Sequence, residues 1–112
     1  MSNTNEFFGR NSESKSGSRK AIEVRDRFFG KTLYASTSAC SVEEAVVEAV
    51  VKGIPLIEAD LSHLDLSMRY LANGVFIRAN FTGTKMHHAY AVHADFTDAV
   101  ITEEQLDSLM TW

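Results

Sequence analysis

Residues 54–103 read IPLIE ADLSH LDLSM RYLAN GVFIR ANFTG TKMHH AYAVH ADFTD AVITE when broken into fives. The period is neither the 2 of a strand nor the 3.6 of a helix. The third place of each block is Leu56, Leu61, Leu66, Leu71, Phe76, Phe81, Met86, Ala91, Phe96 and Ile101, all large and apolar except Ala91. The first place is small in Ala59, Gly74, Ala79, Ala89, Ala94 and Ala99. Asp or Asn recurs at the second place (Asp60, Asp65, Asn80, Asp95) and Ser or Thr at the fourth (Ser62, Ser67, Thr82, Thr97, Thr102). A fixed period marks a repeat architecture. One small and one large inward residue per block fill a narrow core. The polar residues between them line the outside, and stacked coils satisfy each other's backbone groups.

ADLSH, ANFTG and ADFTD closely match the A-(D/N)-(L/F)-(S/T)-x pattern, and residues 54–103 resemble the pentapeptide-repeat family. The resemblance implies a mainly β fold, a right-handed quadrilateral β-helix with four blocks per coil and about two and a half coils. Residue n then stacks on n + 20. Leu56, Phe76 and Phe96 form one internal column, and Leu61, Phe81 and Ile101 another. Outside, Glu58, Arg78 and Asp98 align, Asp65 meets Lys85, and Tyr70 meets Tyr90. Arg69 stands where the pattern wants Ala, and Ile54, Leu64 and Thr84 are also too large. A buried, unpaired guanidinium is too costly, so a distorted face over residues 69–75, with Gly74 absorbing strain, is expected. The order of hairpin, helix and acidic repeats is similar to small phage or prophage members of the family.

Open ends of a repeat need caps. In residues 21–53, Ile22, Val24, Phe28, Leu33 and Tyr34 flank Phe29-Gly30-Lys31, which predicts a β-hairpin turning at Gly30. Ser41 followed by Glu44 is a capping box opening a helix with an apolar stripe of Val42, Ala45, Val46, Ala49 and Val50. Gly53 and Pro55 end it. Residues 104–112 are expected to form a C-terminal helix, with Thr102 as N-cap and Gln105 closing a second box. Leu106, Leu109, Met110 and Trp112 make a candidate dimer contact, a habit that the family resemblance also implies. Residues 1–20 are polar and rich in Ser and Asn, as in a flexible tail. Phe7 and Phe8 are its candidate anchor.

The chain has 112 residues and a net charge of −4. The charge is graded: residues 1–20 carry four basic against two acidic residues, and residues 53–112 three against eight. An acidic repeat region repels nucleic acid and attracts basic protein surfaces. No apolar run reaches the roughly 18 residues of a membrane span, and the polar N-terminus lacks the pattern of a secretory signal. With one cysteine, Cys40, an internal disulfide is impossible, and a cytoplasmic location is expected. His63, His87, His88 and His93 fall in different columns, which disfavours a metal site. No nucleophile, phosphate-loop or dinucleotide motif is present.

These residues predict a non-catalytic protein-binding module without cofactor or metal. Glu58, Asp60, Asp65, Asp95 and Asp98 are its candidate partner-binding residues. Some relatives imply, by resemblance, a DNA-mimic inhibitor of a host DNA-binding or defence enzyme. The alternative is an adaptor that recognises its partner through the tail or the C-terminal contact.

Overall fold

The computed structural model describes residues 20–111. Four elements flank the repeats: β1 (Ile22–Arg25), β2 (Thr32–Ser36), α1 (Val42–Val51) and α2 (Glu103–Ser108). β1 and β2 pair antiparallel, with a bulge between Val24 and Arg25, and Gly30 turns the hairpin at φ 71°.

Residues 56–101 form a β-helix-type coil, which Met110 rejoins after α2. Parallel bridges join Asp60 to Asn80, Asp65 to Lys85, Tyr70 to Tyr90, Val75 to Asp95, Asn80 to Val100 and Tyr90 to Met110, all twenty residues apart. The third-place N–H groups donate upward: Leu56 to Val75 O, Leu61 to Asn80 O, Phe76 to Asp95 O and Phe81 to Val100 O. The third-place side chains from Leu56 to Ala91 are fully buried, and three rings fill the centre. Phe76 stacks on Phe96 at 5.5 Å, and Phe81 meets both rings edge-on.

Most corners repeat one turn. The first-place N–H bonds the preceding third-place carbonyl, as in Ala59 to Leu56, Ala79 to Phe76 and Ala99 to Phe96. The fifth place takes positive φ: Glu58, His63, Met68, Asn73, Arg78, His88, His93 and Asp98 lie between 56° and 64°, and Gly83 at 70°. A single positive φ before the closing residue is the type II signature. Each non-glycine residue there costs about 1 kcal/mol, which the ladder bonds and the core repay.

The expected distortion around residues 69–75 is absent. Tyr90 N–H donates to Arg69 O, Leu71 to Tyr90 O and Asp95 to Gly74 O without a break. Arg69 is half-buried and belongs to the first coil, so it leaves through the capped end. There its charge acts on Glu43 and Asp65. Gly74 has another purpose: a Cβ there would lie 2.3 Å from Cε2 of Phe76, so the phenyl ring occupies that space.

The caps satisfy backbone groups that have no coil beyond them. Over the first coil, Asp60 N–H donates to Arg25 O at 2.7 Å and Arg27 N–H to Glu58 O at 2.7 Å. Asp65 N–H donates to the Glu43 carboxylate at 3.0 Å. The α1 stripe joins the coil in one core through Ala45, Val46, Ala49 and Val50. Ser41 accepts from Glu44 N–H, but Glu44 reaches back to Cys40 N–H rather than to the N-cap's own, so the first box is shifted by one residue. At its end Gly53 N–H bonds Val50 O and Ile54 N–H bonds Ala49 O, a Schellman closure. The Glu48 carboxylate ties α1 to the hairpin by accepting from Tyr34 Oη, Ser36 Oγ and Ser38 Oγ at 2.7–2.8 Å.

α2 is shorter than the expected 104–112. Its capping box is complete, but the helix stops at Ser108, because Leu109 and Met110 turn extended to rejoin the ladder. Leu106, Leu109 and Met110 therefore share no helical stripe. Leu109 is buried, whereas Leu106 is 40% exposed. Gln105 does the docking instead: its amide donates to Phe81 O and Thr84 O at 2.8 and 2.9 Å.

Candidate functional site

The five carboxylates marked in the sequence stand outside the coil, in four columns. Glu58 and Asp98 share one column with Arg78, whose Nε pairs with Glu58 at 2.9 Å. Asp60 stacks under Asn80 and Asp65 under Lys85, while Asp95 stacks over Val75. Glu58, Asp95 and Asp98 thus share one side of the coil, while Asp60 and Asp65 stand on two others. Phe7, Phe8 and Trp112 lie outside the described residues.

Each second-place Asp or Asn side chain is held by its own block. Asp60 Oδ1 accepts from Ser62 N–H and hydroxyl at 3.2 and 2.6 Å. Asp95 does the same with Thr97 at 3.0 and 2.5 Å. Asp65 accepts from Ser67 N–H at 3.1 Å. Asn80 reproduces the geometry with Thr82 at 3.1 and 2.6 Å, so the turn needs an acceptor oxygen but not a charge. In Asp65 and Asp95 these bonds favour ionisation. The Ser67 hydroxyl, then its N–H, holds Asp65 below the usual carboxylate range, and Thr97 does so for Asp95.

The same holds inside the cap. The Ser36, Ser38 and Tyr34 hydroxyls lower Glu48, and the Asp65 N–H chiefly lowers Glu43. A carboxyl with a lower pKa when folded adds stability that is complete above its unfolded value and is lost as protons bind below it. The ordinary values are 3.8 for Asp and 4.5 for Glu. The urea midpoint should therefore stay flat near neutrality and fall as the pH drops through and below that range. In Glu48→Gln the acid-side fall should be shallower.

Among the described residues no three His, Cys, Asp or Glu side chains form a metal-sized group. His63 packs over Gly83, where an added Cβ would come within 2.6 Å of its Nδ1. Cys40 is exposed. A cleft of about 450 Å³ runs beside α2, and its one titratable lining residue is Glu104. No helix among the described residues is long and apolar enough to cross a membrane.

The repeat geometry agrees with comparison to known families, whose pentapeptide-repeat model matches residues 56–98 in eight copies. Residues 56–98 are pentapeptide repeats. No curated protein and no solved structure matches the chain. The repeats offer side chains on a stiff frame, set about 4.8 Å apart from coil to coil. Sequence reasoning missed the second capping task of Gln105, the contact of Glu48 with three hydroxyls, and the Asp26 bonds that hold the hairpin tip. None of these carries a periodic signal.

Proposed function

We propose that this protein is a non-catalytic binding module, a right-handed, four-sided β-helix whose outer carboxylates engage a basic protein surface. The observation that carries the reading is the fixing of Asp60, Asp65 and Asp95 by neighbouring Ser and Thr groups. Such carboxylates lose little freedom on binding, so they are pre-organised. The twenty-residue step supports four sides. Charges around a stiff rod suit the DNA-binding surface of an enzyme, where the protein would compete with nucleic acid as a DNA mimic.

Asp→Asn changes test this without disturbing the fold, because Asn80 already fills the same turn. Immobilised wild type and an Asp60→Asn/Asp65→Asn/Asp95→Asn variant would be offered the same cell lysate. The expected result is a DNA-binding protein retained by the wild type, released by salt and lost from the variant. Equal retention by both, or retention that salt does not affect, overturns the proposal.

A further inference from the structure

The hairpin tip is both exposed and rigid. Phe29 is 92% exposed and Phe28 57%. The Asp26 carboxylate accepts from the N–H groups of Phe28, Phe29 and Lys31 at 3.0, 3.1 and 2.5 Å. Arg25 donates to Gly30 O at 2.8 Å. Arg27 lies 4.9 Å over the Phe28 ring and donates to Arg78 O at 3.0 Å, which pins the tip beside the coil. Two phenyl rings fixed in water among cations have the character of an interface anchor.

Beside the tip stand the stacked blocks 54–58, 74–78 and 94–98. Their non-core places hold Pro55, Ile57, Val75 and Ile77 in the first two coils, then Asp95, Thr97 and Asp98 in the third. Glu58 is neutralised by Arg78. Asp98 has no ion-pair partner within 4 Å among the described residues. This side therefore runs from a basic, aromatic end (Arg27, Phe28, Phe29, Lys31), through an aliphatic middle, to an acidic end.

We propose that this side is a two-fold interface between two copies of the chain. Antiparallel pairing sets the basic tip of each copy on Asp95 and Asp98 of the other, with the aliphatic middles face to face. A charge gradient of this kind is self-complementary, as an isologous contact requires. An anionic lipid surface would accept the tip but repel the carboxylates beyond it. The inference does not rest on the acidic-partner reading: both use Asp95, but Asp60 and Asp65 lie in other columns and stay uncovered.

The test is sedimentation equilibrium of the full-length protein at micromolar concentrations, with each variant's fold checked by circular dichroism. The wild type should dimerise and Phe28→Ser/Phe29→Ser should be monomeric. Asp98→Lys should weaken association at least about tenfold, and adding Lys31→Glu to it should restore the dimer. A monomeric wild type overturns the proposal. So does a dimer that survives Phe28→Ser/Phe29→Ser, or one lost only on changing Leu106 and Trp112, or Phe7 and Phe8. Phenylalanine-dependent binding of a monomeric wild type to phosphatidylglycerol vesicles would assign the tip to lipid and also overturn it.

Discussion

Phe76→Ala should cost about 3–5 kcal/mol, the usual loss for a buried aromatic side chain. Phe76 is fully buried, stacks on Phe96 and meets Phe81 edge-on. Its removal leaves a cavity that cannot close, because the third-place side chains are spaced by a hydrogen-bonded ladder. Small domains have only about 5–15 kcal/mol in total, so the variant should melt far below the wild type. A urea titration checks this. A loss under about 1 kcal/mol would mean that the coil collapses onto the gap and that the rings do not set its width. Leu71→Ala is the control, since it removes a third-place side chain outside the three-ring cluster.

Thr84→Val should cost about 1–3 kcal/mol, the penalty for buried polar groups left without partners. Thr84 stands where the repeat wants Ala, and it is buried. Its hydroxyl donates to Leu61 O and accepts from Leu64 N–H at 3.3 Å, so it fits into the turn of the coil below. Valine keeps the volume but loses both bonds and pushes a methyl group against them. Thr84→Ala should cost less, because the turn can then close by the direct Leu64-to-Leu61 bond used at the other corners. Thermal melts of the two variants decide it. If valine proves as mild as alanine, the hydroxyl is not what holds that corner.

The coil was legible because its forces are local and repeated. Ten blocks each put an apolar residue at the third place, and the Asp/Asn with Ser/Thr pairs carry their own turn chemistry. The α1 N-cap and the Gly53 closure were also legible, since capping depends on residues three to five apart. The length of α2 was not: Leu106, Leu109 and Met110 have helical spacing, but the bridge from Met110 to Tyr90 outweighs a weak local preference. Arg69 was misread because the sequence shows an outsized first-place residue but not the Glu43 carboxylate that the capping helix brings near it.

By itself, then, the sequence determined the repeat, its twenty-residue step and the residues of each column, because a short-period pattern needs no distant partner. Tertiary structure alone decided how Thr84 and Gln105 satisfy carbonyls more than twenty residues away. It also decided that Phe28 and Phe29 stay in water, held there by Asp26 and by the Arg27 contact with Arg78. The physical reason is the same in each case: these features depend on which coil an end meets, and contacts between distant parts of the chain leave no local pattern in it.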